Sequence, residues 1–149
     1  MNELDLKKRT KAFALRVLKL VDSLPKTTSG RTLAAQLARS GTSVAANYRA
    51  ARRAKSIAHF LSKLGDVEEE ADETLFCLEL FEESGIVPTK RLSALKQEAD
   101  ELVAIIVASI HTVKKRGADK LQIGGRKSEA ISQARLRLVP TSYFRLTTS

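Results

Sequence analysis

Apolar residues recur along this chain at alternating steps of three and four. The clearest run is Leu92, Leu95, Ala99, Leu102, Ile106, Ile110 and Val113, which at 3.6 residues per turn falls on one stripe of a single helix. Ile57, Phe60, Leu64, Val67, Ala71, Leu75, Leu78 and Phe81 form a second stripe, along a helix of roughly 40 Å. Phe13, Val17, Leu20 and Leu24 mark a helix nearer the start, and Leu33, Leu37, Val44 and Tyr48 mark the one after it. Alternation of the period-two kind that makes strands does not occur. The pattern predicts four helices, over about 3–23, 30–53, 56–84 and 89–115, with ends good to a few residues.

The breaks between stripes carry the right turn chemistry. In "SLPKTTSG" Pro25 stops the first helix, and the hydroxyls of Thr28 and Ser29 are placed to cap the second by accepting an unpaired amide hydrogen. Ser56 is placed to do the same for the third. In "SGIVPT" Gly85 suits a left-handed residue at a helix end, and Pro88 with Thr89 restarts the chain. Short loops between long amphipathic helices favour an all-α, up-down-up-down antiparallel four-helix bundle. After Gly117 the apolar period fades into Gly-Gly and scattered charge. The expected organisation is a bundle over 1–116 and a basic, flexible tail over 117–149, with one transient helix near Ser128 to Leu138. A chain of 149 residues with 43% hydrophobic content suffices for one core.

Charge changes the picture once it is placed along the chain. The formal net charge is +9. Beyond Val113 there are nine Lys/Arg against Asp119 and Glu129, which leaves only +2 for the body. The body is itself lopsided: residues 31–63 hold seven Lys/Arg and no acid, whereas 64–83 hold nine Asp/Glu and no base. "RSGTSVAANYRAARRAKS", residues 39–56, sets the amide of Asn47 on a helix and then crowds Arg49, Arg52, Arg53 and Lys55 just beyond it. One or two cations at a helix end are explained by the negative end of the macrodipole. Four exceed that role.

Catalytic and metal chemistry finds little support. His59 and His111 stand on different helices with no cysteine or paired carboxylate at ligand spacing, so each reads as an ordinary surface histidine. No Gly-rich phosphate loop, nucleophile elbow or His-Glu-x-x-His pattern occurs. The acidic run "DVEEEADE" lacks the Glu-x-x-His pairs of a di-metal bundle. Because Val67 and Ala71 claim its buried side, its carboxylates are expected to face water or the arginines of the preceding helix, within the subunit or across an interface. No cofactor is implied. With one cysteine, Cys77, no intramolecular disulfide forms, and the start "MNELDLKKRTKAF" lacks the apolar core of a signal peptide. The longest apolar run, Leu102 to Ile110, is far short of the ~20 residues that span a bilayer. A cytoplasmic, non-enzymatic protein without a membrane partner is the expectation.

Arg39, Ser43, Val44 and Asn47, followed by Ser56, Phe60 and then Glu73, carry a resemblance to the four helix bundle protein family, also known as ribosomal-RNA intervening-sequence proteins. It covers roughly residues 5–115, about one domain. The chain departs from the usual pattern after the asparagine, where Tyr48, Arg49, Ala50 and Ala51 replace an apolar residue, alanine, glutamate and glycine. The resemblance implies a small bacterial bundle. Some members are encoded inside insertions in ribosomal RNA genes, and structures of the type commonly assemble as five-subunit rings. A related basic bundle is a nucleic-acid-binding accessory protein to the reverse transcriptase of diversity-generating retroelements, which extends the implied partners to such an enzyme. No catalytic residues carry over.

Two functional readings follow. The first is an RNA- or DNA-binding bundle, RNA ahead of DNA, that uses Lys7, Lys8, Arg9 and Lys11 together with Arg49, Arg52, Arg53 and Lys55. Lys114, Lys115, Arg116, Arg126, Lys127, Arg135 and Arg137 add diffuse attraction, with Tyr48, Tyr143 and Phe144 available for stacking. The second is a homo-oligomeric scaffold, in which the basic second helix meets the acidic third helix of a neighbour. Arg39, Ser43, Asn47, Tyr48 and Glu73 are then seam or interface residues, with Asn47 favoured as a register-setting amide over a base contact.

Overall fold

The computed structural model describes residues 3–123. The tail positions Arg126, Lys127, Arg135, Arg137, Tyr143 and Phe144, and the helix expected near Ser128, lie outside the described residues. Four helices follow one another: α1 (Glu3–Asp22), α2 (Thr28–Ala51), α3 (Ile57–Glu83) and α4 (Thr89–Ile123). Sequential helices pack side by side, and α4 returns to α1 more sparsely. Short connections reverse the chain each time, so α1 and α3 stand diagonally across an up-down-up-down bundle.

Local chemistry explains the ends. Backbone bonds from Ser23 to Leu20 and from Leu24 to Val21 tighten the exit of α1 ahead of Pro25. The cap of α2 is Thr27 and not Thr28 or Ser29: its hydroxyl accepts the Gly30 amide hydrogen at 3.1 Å. Ser56 caps α3 by accepting from the His59 amide at 3.0 Å. Gly85 has φ of 72°, a left-handed geometry that glycine adopts without a Cβ penalty. Around it, the Val87 amide donates back to Phe81 at 3.2 Å, which closes the turn into α4.

The core is assembled from the stripes. Phe13 and Val17 of α1, Leu37, Val44 and Tyr48 of α2, Leu64, Val67 and Phe81 of α3, and Leu92, Leu102 and Ile106 of α4 are all essentially inaccessible to solvent. Each such side chain contributes about 1.5–3 kcal/mol of transfer free energy. Between α1 and α2 the approach is close enough that a Cβ on Gly41 would stand 2.7 Å from Val17 Cγ1. Glycine is therefore required there for packing. Between α2 and α3 the hydroxyls of Ser40 and Thr74, both buried, lie 2.9 Å apart, and Thr74 also donates to the Glu70 carbonyl at 2.7 Å. This pair can form in one register only.

One boundary differs from expectation. α4 continues to Ile123 instead of ending near 115, because glycine weakens a helix interior by about 1 kcal/mol but does not break it. Among the described side chains Val113 is the last that is buried, while Lys114, Lys115 and Arg116 are exposed. With 35 residues against the 27 of α3, α4 runs about 12 Å longer.

Candidate nucleic-acid interface

Alternating helix direction gathers three basic segments that are far apart in sequence. The first turns of α1, the α2–α3 connection and the last turns of α4 occupy the same end of the bundle. Lys7, Lys8 and Lys11 are exposed on α1; Arg49, Arg53 and Lys55 are exposed around the connection; Lys114, Lys115 and Arg116 are exposed on α4. Glu3, Asp5 and Asp119 are the acidic residues of the same α1 and α4 turns. Positive charge dominates this end. Arg49 lies in the last turn of α2 and Arg52 is its C-cap residue, so both also oppose the helix dipole. Arg52 is half-buried and presents less of itself than its neighbours.

Arg9 and Tyr48 depart from the sequence expectation. Arg9 is not available to phosphate. Its Nε donates to Glu98 at 2.7 Å, and its Nη2 to Glu98 at 2.9 Å and also to Glu101. The Glu98 carboxylate raises the guanidinium pKa further above its ordinary value, against the opposing effect of burial. The ion cluster ties α1 to α4. Tyr48 cannot stack on a base, because it is 1% exposed and its ring fills the core between helices. A residue on an apolar stripe is placed by the packing of that stripe, and Tyr48 follows Val44 by four.

The remaining seam residues sort by geometry. Arg39 reaches from α2 to α3, donating to Glu70 at 3.0 and 3.1 Å and pairing with Glu73 at 2.5 Å. The two carboxylates hold its pKa well above the ordinary arginine range, with Glu73 the larger influence. Arg39 and Glu73 therefore meet within one subunit. Ser43 and Asn47 are half-buried. Elsewhere in the acidic run, Asp66 pairs with Lys63 at 2.7 Å, while Glu69 and Asp72 face water. His59 and His111 are both exposed, and no cluster suited to a metal ion occurs among the described residues. Nor is any described helix long and apolar enough to cross a membrane.

Sequence reasoning missed the partners of Arg9, which lie 89 and 92 residues away, and the buried Ser40–Thr74 pair. A signal for the second existed: Ser40 and Gly41 fall on the stripe Leu37, Val44, Tyr48, where small residues allow close helix approach. For the first there was none. Lys96 with Glu82, joining α4 to α3, was likewise unseen; hydrogen bonding from Lys96 holds the Glu82 carboxyl below its usual range.

Comparison with known proteins agrees with this architecture. No curated protein matches the chain. A solved structure from Bacteroides thetaiotaomicron VPI-5482, described as a protein with unknown function from the S23 ribosomal protein family, aligns with TM-score 0.66 at 30% identity. The alignment covers 70% of this chain and 96% of that one. Residues 2–108, spanning α1 to the middle of α4, match the model of the 23S rRNA-intervening sequence proteins, and the chain belongs to that family.

Proposed function

We propose that this protein is a non-catalytic RNA-binding bundle whose contact surface is the basic end, and that it works as a homo-oligomer. The observation that carries the reading is the convergence of exposed Lys7, Lys8, Arg49, Arg53, Lys55, Lys114 and Lys115 from three segments onto one end. The family description, which names a 23S rRNA intervening sequence, supports RNA over DNA. Contacts of this kind are made to phosphates, so recognition rests on charge and shape and is strongly salt-dependent. With Tyr48 buried, base stacking adds little within the bundle.

The test is RNA affinity measured by fluorescence anisotropy across a salt series, for the intact chain and for Arg49→Glu/Arg53→Glu/Lys55→Glu. The reversal is expected to weaken binding at least tenfold at low salt and to flatten the slope of log affinity against log salt by roughly 0.7–0.9 per lost phosphate contact. Equal affinities and slopes would overturn the basic-end reading. An intact chain that oligomerises but has no measurable RNA affinity at low salt would favour the scaffold reading instead.

A further inference from the structure

α3 presents a second stripe on the side away from its buried one. Glu69, Asp72, Phe76, Glu79 and Glu83 follow one another at steps of three and four, so they share one face of the helix. Glu69, Asp72 and Glu83 are exposed and Glu79 is half-buried, while Phe76 in their midst is 55% exposed. The bases that pair with α3 engage other carboxylates: Arg39 holds Glu70 and Glu73, Lys63 holds Asp66, and Lys96 holds Glu82, with Glu79 and Glu83 acting on Lys96 only through space. A phenylalanine set among carboxylates in this way suits a ligand that is cationic and apolar at once.

The chain itself contains such a ligand. Residues 124–149, outside the described residues, hold five Lys/Arg against Glu129. Within them "RLRLVPTSYFR", Arg135 to Arg145, combines three arginines with Leu136, Leu138, Tyr143 and Phe144 and contains no acid. The other large exposed apolar side chains, Leu15 and Leu18, stand on α1 among exposed Lys11 and Lys19 with one carboxylate, Asp22. Like charge turns the segment away from that face and toward α3.

The segment also reaches. The 35 residues of α4 carry Ile123 about 52 Å from the α3–α4 turn, whereas Glu69, fourteen positions before the last residue of α3, stands about 21 Å from it. Twelve residues from Ile123 to Arg135 extend up to about 40 Å, which spans the difference and the step across to the outside of α3. We infer that residues 135–145 fold back onto the outer face of α3 of their own chain, with arginines set against Glu69, Asp72 and Glu79 and the apolar side chains of the segment packed on Phe76. The carboxylates give orientation and Phe76 gives the dry centre. Docked there, the arginines are withheld from other polyanions. One consequence rests on the RNA reading above: RNA phosphates compete with α3 for the same arginines, so binding releases the segment.

Because the chain has no tryptophan, Phe76→Trp makes a lone reporter in the full chain. With buried Cys77 replaced by alanine, a quencher attached at Ser142→Cys should dim this emission several-fold at low salt. The emission should recover at high salt and in Glu69→Lys/Asp72→Lys, whose melt, matched to that of the Cys77→Ala parent, confirms an intact bundle. Leu15→Trp with the same quencher should stay bright, and refolding with an excess of unlabelled chain should leave the quenching at Phe76→Trp unchanged. Equal emission from the two reporters, quenching indifferent to salt and charge reversal, or quenching lost in the excess of unlabelled chain, as docking between copies would give, overturns the inference. RNA should restore the emission. If RNA has no affinity the quenching stays and only the RNA reading falls, whereas RNA that binds without restoring emission overturns the competition.

Discussion

The α2–α3 seam and the α1–α4 seam are held by different physics. In the first, buried Ser40 and Thr74 meet at 2.9 Å beside fully buried apolar side chains, and Arg39 only braces the outside. In the second, where the helices touch sparsely, Arg9 lies between Glu98 and Glu101, and Arg91 donates to Ser23 at 2.6 Å. Close packing excludes water and is indifferent to salt, whereas a half-exposed ion cluster is screened by it. The bundle has a cohesive side and a screened side.

Removing packing should have the largest effect. Leu64→Ala and Leu102→Ala, both at sites with 0% exposure, are expected to lose about 2–5 kcal/mol each, read from denaturant melts. Thr74→Val keeps the shape but leaves the Ser40 hydroxyl with only the Leu37 carbonyl at 3.4 Å, and should lose about 1–3 kcal/mol. All three losses should be the same at low and high salt; a loss that shrinks with salt would contradict a packed seam. The smallest effect belongs to the charged seam. Arg9→Met should lose about 1 kcal/mol at low salt, and the difference from the intact chain should shrink as salt rises. Salt-independent destabilisation by Arg9→Met would erase the distinction between the seams.

The fold was legible because the stripes at steps of three and four fixed which face of each helix is buried, and Pro25, Ser56, Gly85 and Pro88 marked the breaks. What lay beyond reach was pairing between distant residues. Arg9 reads as part of a basic run, Lys7 to Lys11, and no local pattern distinguishes the member that turns inward toward α4. Tyr48 was legible as a stripe residue and therefore as core, a stronger constraint than its chemical aptitude for stacking. The end of α4 lies beyond the point where the apolar period fades, because a glycine such as Gly117 inside a helix is unfavourable but does not break it.

The sparse contact between α1 and α4 also sets the order in which the molecule opens. α1 and α4 are each packed closely against one neighbour only, and α1, at 20 residues the shortest helix, is the one that detaches more readily while the other three stay paired. Such a release is a subglobal opening, with a free energy below that of complete unfolding. Amide hydrogens of α1 should therefore exchange ahead of those of α3, and faster still when salt screens the Arg9 cluster; uniform exchange across both helices would show a single cooperative unit.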